Sequence, residues 1–398
     1  MGASKSFNTA FPQGLDYSRN LFIAGGIGLV ATAAGYFLDH DQFFFSYLTS
    51  FAYFTTIALG ALFFVMLQHI TRSKWSVVLR RLPETVAANI WPWTIFFIPV
   101  LLGMHTLYHH WTNPEVYVEG SDAFDPILFA KKGYLNETFF YIRQAIYFLV
   151  WGYLGHRLYK VSTDMDKSGD WGLQTLLRKI SAPGILFFAL SAAFASFDWL
   201  MSLDPHWFST MFGVYFFAMS FQAFLAFTIL LLFFLQGKGI LTDVVRIVHI
   251  GDVARLLFGF TVFYAYIAFS QFLLIYYANI PEETLWFVHR MENGWGVFTY
   301  GLLLGRFVLP FLVLLNKNAK QNPAVLKFIT SWILFIHFIE LFWIVMPTHA
   351  HHPHFSWMDI TAFVGLGGIF LGLFFRLYQK TTLFPVNDPF LQESIDKH

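Results

Sequence analysis

Ten stretches of this chain are apolar enough, for long enough, to cross a bilayer, and that recurrence leaves few folds open. A hydrocarbon core of about 30 Å takes roughly 20 helical residues. Runs of that kind fall at 21–38, 46–68, 87–107, 138–156, 182–201, 208–235, 256–278, 296–316, 324–346 and 357–377. In lipid every backbone N–H and C=O must be paired within the protein, so only helices and closed barrels can span. These runs far exceed the roughly ten residues of a barrel strand. The sequence therefore predicts an all-α integral membrane protein with about ten transmembrane helices. No soluble domain or low-complexity linker interrupts the series, so residues 1–398 read as a single polytopic membrane domain.

Charge supports this reading independently of hydropathy. Only 12% of residues are charged, about half the roughly 25% usual in soluble domains. Cytoplasmic connections of a membrane protein collect Lys and Arg. Numbering the connections alternately places Lys5, Arg19, Arg72, Lys74, Arg80, Arg81, Arg157, Lys160, Lys167, Arg178, Lys179, Lys238, Arg246, Arg255, Lys317, Lys320, Lys327, Arg376, Lys380 and Lys397 on one side. Only Lys131, Lys132 and Arg290 lie on the other. One missed helix would scramble that division, so an even count with both termini cytoplasmic is expected. The N-terminal stretch is polar and lacks a signal-peptide pattern, and it is expected to be retained. A net charge of +1 gives no attraction to nucleic acid. The absence of cysteine excludes disulfides, thiolate zinc sites, covalently attached haem and all-thiolate iron-sulfur clusters within the chain.

Ionisable groups within the spans are costly and need a partner or a wet cavity. Arg306 on the eighth run and His337 and Glu340 on the ninth lie at similar mid-membrane depth. His337 and Glu340 are three apart and share a helix face, so Arg306 is expected to face them, with Glu340 neutralising the guanidinium and His337 exchanging protons. A buried pair that merely pins two helices is the alternative. On the seventh run, Tyr264 and Gln271 form part of a polar stripe that could order water or hold helices together. Asp198, with Arg143 as its expected partner, Asp204 and His206 lie toward the outer end; His69, Arg72, Glu84, His249, Asp252 and Arg255 lie toward the inner end. The proton-path candidates are therefore Asp198, Tyr264, Gln271, Arg306, His337, Glu340, Asp204, His249, Asp252, Glu84 and His69.

The HAHHPH run, with His349, His351, His352 and His354, has imidazoles suited to Zn, Cu or Ni but no fixed geometry, and no metal site is assigned to it. His105 and His337 make a poor pair for bis-histidine haem. Gly-rich phosphate loops, Walker motifs and nucleophile elbows are absent, which argues against an ATP-driven pump. No convincing tandem repeat is visible, although WLMSLDPHWFS and WIVMPTHAHHPHFSW both follow a helix with a turn containing Pro and His.

Three stretches, WSVVLRRLPETVA (75–87), SFDWLMSLDPHWFSTMFGVYFFAMSFQAF (196–224) and HIGDVARLLFGFTVFYAYIAFSQFLLIYYANIPEETLWFVHR (249–290), resemble the membrane subunits of the polysulfide reductase (NrfD-like) family. Within it they are most similar to the F-subunit branch of bacterial alternative complex III, a quinol:electron-acceptor oxidoreductase. The resemblance implies ten helices, eight of them in two four-helix bundles, with two peripheral. It also implies partner subunits carrying haem c and iron-sulfur clusters, a paralogous membrane subunit that binds quinol, and a location in the bacterial cytoplasmic membrane among lipids. No cofactor is expected in this chain, and no quinone-binding residues carry over. The expected role is a non-redox subunit that conducts protons or supports energy coupling; a standalone secondary transporter and a purely structural scaffold are the alternatives.

Overall fold

The computed structural model describes residues 7–12 and 14–397; Lys5 and its contribution to the basic side lie outside them. Ten long helical rods are present: α1 (Tyr17–Gly35), α2 (His40–Ile70), α3 (Val77–Leu102), α4 (Glu137–Ser168), α5 (Gly172–Leu203), α6 (Phe212–Gly237), α7 (Ile247–Ala278), α8 (Gly296–Leu315), α9 (Pro323–Thr348) and α10 (Trp357–Tyr378). No strand occurs among the described residues. Eight of the ten are long and apolar enough to cross a membrane. The exceptions are α1, diluted by Arg19, Asn20 and glycine, and α4, which carries Arg143, Arg157, Lys160, Asp164, Asp166 and Lys167. The chain is thus an all-α, multi-pass membrane protein.

Helix starts follow from local chemistry. Asp16 caps α1 by accepting from the Ser18 and Arg19 N–H groups, Asp39 caps α2, and Asn136 caps α4. At α9 an Asn322 cap precedes Pro323, whose missing N–H costs nothing in the first turn. A reciprocal Ser356–Asp359 capping box opens α10.

The rods assort into two rings of four. Helices α2 to α5 close one ring, each packed on its chain neighbour and α5 back on α2; α6 to α9 close a second ring in the same way. The seam between rings is chiefly α2 against α6, with α5 on α6 and α9 on α2. Almost all of α2 is consequently buried. Gly60 permits this closeness, since an added Cβ there would sit 2.4 Å from the Phe224 Cβ. Helices α1 and α10 lie outside the rings as an antiparallel pair, with α10 packed on α2. Their backbones approach through glycine: a Cβ on Gly28 would lie 2.6 Å from the Gly365 Cα, and one on Gly368 the same distance from the Gly25 Cα. Small residues are what allow such contact where lipid supplies no hydrophobic drive between helices. These are the two four-helix bundles and two peripheral helices expected above.

Both ends of the described chain lie at one end of the molecule, where Leu383 N–H donates to the Thr9 carbonyl. This terminal end gathers the connections that carry most of the Lys and Arg. Several boundaries differ from the hydropathy reading. α5 begins at Gly172 rather than 182, α4 runs to Ser168 rather than 156 and α2 begins at His40 rather than 46, where polar turns extend each helix beyond its apolar run. α3 begins at Val77 rather than 87, and α7 at Ile247 rather than 256, because each opens on a charged turn that hydropathy excludes but the fold buries or pairs.

Candidate functional site

The second bundle is built around Glu340. It projects from α9 with no exposure, and Arg306 from α8 is equally buried. Arg306 Nε lies 3.2 Å from Glu340 Oε2. Glu340 Oε1 accepts hydrogen bonds from two phenols, Tyr215 on α6 and Tyr264 on α7. All four helices of the bundle thus converge on one carboxylate. The remaining guanidinium nitrogens donate to the Ile333 and Met219 carbonyls, each at 3.2 Å, and the guanidinium carbon lies 5.1 Å from the Tyr264 ring centroid.

His337 sits one turn before Glu340. Arg306 Nη2 lies 3.1 Å from its Nδ1. A guanidinium can only donate, so Nδ1 is the acceptor and the ring proton is on Nε2. From there it is given to Thr56 Oγ1 on α2, 2.8 Å away, and that hydroxyl donates to the Tyr53 carbonyl. This relay crosses the seam and ties the centre to the first bundle. One part of the centre is left open: Glu340 Oε2 and Arg306 Nε are buried and close, yet neither makes an aligned hydrogen bond. Oε2 is also 3.8 Å from His337 Nδ1.

The placement of Arg306 has a backbone cause. Pro310 has no N–H to give the carbonyl four residues earlier, which belongs to Arg306, and its ring crowds that oxygen. The helix widens into a π-turn over Leu303–Val308, a distortion that recurs at functional sites.

The first bundle contains a related centre. Arg143 on α4 grips Asp198 on α5 with two parallel bonds, Nε to Oδ2 at 2.8 Å and Nη2 to Oδ1 at 2.9 Å, while Nη1 donates to the Tyr134 carbonyl. Tyr147 and Gln144 also donate to Asp198, and Trp199 Nε1 donates to Gln144. In both bundles, then, an Arg from the third helix meets an acid from the fourth. Asp198 and Glu340 each precede a proline, Pro205 and Pro347, by the same interval, and each rod ends in a short 3-10 turn. The two halves therefore share a plan that sequence inspection did not recognise as a repeat.

At the terminal end, Glu84 on α3 accepts from Arg80, Arg81 and Ser162. Arg80 also pairs with Asp388, and Arg81 with Asp166. His69 is buried with its Nε2 3.9 Å from Glu84. His249 Nδ1 accepts from the Arg246 N–H, its Nε2 lies 2.8 Å from the Ser394 carbonyl, and Asp252 pairs with Arg255 and Lys397. At the opposite end, Gln271 Oε1 accepts from Ser209, and Asp204 lies half-buried in the α5–α6 turn beside His206. His206 Nε2 is 2.5 Å from Asp125. Burial works to raise the Asp125 carboxyl, but the hydrogen bond from His206 and the N–H groups of Leu128 and Ile127 hold it below the usual carboxylate range.

The candidate residues thus occupy several distinct places. Arg306, His337 and Glu340 form one centre, as expected, and Tyr264 joins them through Glu340 rather than sharing a site with Gln271. Asp198 forms a second, and Gln271 and Asp204 lie toward the opposite end. Glu84 with His69, and His249 with Asp252, flank the terminal end. No described hydrogen bond links the Glu84 cluster directly to Glu340. Sequence inspection missed Tyr215, which no local pattern marks, and the pairing of Arg80 and Arg81 with Glu84, for which the i,i+3 and i,i+4 spacings were a signal. It also missed Asp359, buried beneath Ser46 and Gln42.

The histidine run is dispersed. His349 stacks on Phe45 at 4.8 Å, His352 faces the Asn293 carbonyl and His354 faces Gln42. Among the described residues no group of three or more His, Cys, Asp or Glu side chains is arranged to hold a metal ion. No protein-family model matches the chain, and a comparison with curated proteins yields no match.

Proposed function

We propose that this chain is a non-redox integral membrane subunit of a respiratory quinol-oxidising complex of the alternative complex III type, and that its Glu340 centre moves protons for energy coupling. One observation carries the proton reading: Glu340 is buried at the meeting point of four helices, held on one oxygen by two phenols, with its second oxygen beside Arg306 and His337 but not engaged in an aligned hydrogen bond. A carboxylate used only as a fastener gains by filling both oxygens, whereas a carboxylate that exchanges a proton needs one within reach of a donor. The His337 ring proton on Nε2 faces Thr56, while Nδ1 lies 3.8 Å from Oε2, so the ring can take a proton up at one nitrogen and release it at the other.

The resemblance of residues 75–87, 196–224 and 249–290 supplies the wider setting: haem c and iron-sulfur subunits as partners, a paralogous membrane subunit holding the quinol, and a bacterial cytoplasmic membrane. The basic terminal end is then cytoplasmic. The Asp198 centre favours a second role within the same protein. Both of its oxygens and all three guanidinium nitrogens of Arg143 are occupied, which suits a helix clamp.

The test is to reconstitute the complex with Glu340→Gln in liposomes and count protons translocated per quinol oxidised. The expected result is a lower ratio with subunits and quinol oxidation retained. An unchanged ratio removes Glu340 from any proton route. Should Glu340→Gln prevent assembly by leaving Arg306 without a counter-charge, Arg306→Met with Glu340→Gln restores neutrality and the same count decides.

A further inference from the structure

After α10 the chain turns back across the terminal end, and its interactions change character along the way. Leu383 and Phe384 are buried apolar residues and anchor the start of this segment, where Leu383 also meets Thr9. From Val386 onward polar contacts predominate, and Val386, Leu391 and Ile395 add partial packing against the core. Asp166 on α4 accepts from the Val386 N–H at 3.0 Å, and its backbone carbonyl accepts from the Asn387 side chain at 2.6 Å. Asp388 is buried against Arg80 and accepts from Gln174 at 2.7 Å. Glu393 pairs with Lys74, and Ser394 donates to the Trp75 carbonyl. The last residues reach the other bundle: the Ser394 carbonyl faces His249, the Ile395 and Lys397 carbonyls accept from Arg246, and Lys397 pairs with Asp252.

We propose that residues 386–397 are a releasable strap that closes the terminal end over the buried Glu84 cluster and fastens the two bundles to each other. Three features make it releasable. Beyond the apolar anchor it is held mainly by ion pairs and hydrogen bonds, and its outer pairs, Glu393 with Lys74 and Lys397 with Asp252, are exposed or partly exposed, where salt and competing charges weaken them. Its departure leaves no net charge stranded: Arg80 and Arg81 remain opposite Glu84 and Asp166, whereas Asp388 is a third acid supplied by the strap itself. Beneath it lie buried polar atoms with no hydrogen-bond partner, His69 Nε2 and Arg81 Nε, which water could satisfy once the strap lifts. The inference goes beyond the proton reading, because it concerns access to the terminal end whatever passes through.

The absence of native cysteine allows a direct test on the full chain in detergent micelles. Ser162→Cys puts a thiol in the cluster, where Ser162 contacts Glu84 and Arg81, and its reaction with a charged methanethiosulfonate is timed. Ser168→Cys, at the exposed end of α4, serves as the reference. With the strap in place Ser162→Cys should react slowly. Ending the chain after Pro385, or substituting Asp388→Asn in the full chain, should each speed the reaction at least tenfold while the reference rate stays constant. If the truncated chain elutes as aggregate, Asp388→Asn decides alone. Rapid labelling of Ser162→Cys in the otherwise intact chain, or an unchanged slow rate after release, overturns the proposal.

Discussion

A guanidinium in the middle of a membrane domain is tolerated only when its charge is answered at contact distance. Arg306 meets that condition through Glu340, and Glu340 in turn through Arg306 and two phenols. Removing one partner alone is therefore far worse than neutralising both. Arg306→Met should cost about 3–5 kcal/mol by leaving a buried carboxylate unpaired, measured as denaturant or thermal unfolding in detergent. Adding Glu340→Gln, which still accepts from Tyr215 and Tyr264, should recover a large part of the loss. Strictly additive losses would mean that the two side chains do not interact. Arg306 and Glu340 were legible as a pair because a charge in an apolar run is conspicuous. Tyr215 was not, since a tyrosine in a Phe-rich helix has no distinguishing pattern until folding brings it to Glu340.

Among the elements, α1 and α10 show how little side chain a tight helix contact needs. Their glycines let the backbones touch, and Thr32 donates across the interface to Thr361 at 3.0 Å. A disulfide engineered through Thr32→Cys and Thr361→Cys should form readily in an otherwise unchanged chain. Gly365→Leu, whose Cβ would meet the Leu29 nitrogen at 2.8 Å, should abolish that cross-link by forcing the pair apart. Cross-linking that survives the substitution would show that the pair can re-register without glycine. Hydropathy placed both helices but said nothing of their partnership. It also set the start of α3 ten residues late, because Arg80, Arg81 and Glu84 look like a solvated loop in sequence and are a neutralised, buried turn in the fold.

At the scale of the whole molecule, two rings of four helices meet along α2 and α6, and the strap and the His337–Thr56 contact both cross that seam. The proposed place in a redox complex predicts an optical signature for the assembly and none for this chain alone. The gently solubilised assembly is expected to show a haem c spectrum, and this chain, isolated by harsher detergent, none. A chain that purifies alone from mild detergent, with transport activity, would point instead to a secondary transporter.

By itself the sequence determined that the chain is helical, that it crosses a membrane many times and that its basic residues gather on one side, since these follow from run length and local charge, which need no knowledge of neighbours. The pairing of Arg306 with His337 and Glu340 was also within its reach, because helical rise converts position into depth. Only the tertiary structure decided which helices form each ring, that Tyr215 and Tyr264 share one carboxylate oxygen, and that the Asp198 centre repeats the plan of the Glu340 centre. Those facts depend on the azimuth of each helix about its axis. In a chain apolar nearly all round, hydropathy carries almost no information about azimuth, and it is set by glycine contacts, ion pairs and close packing.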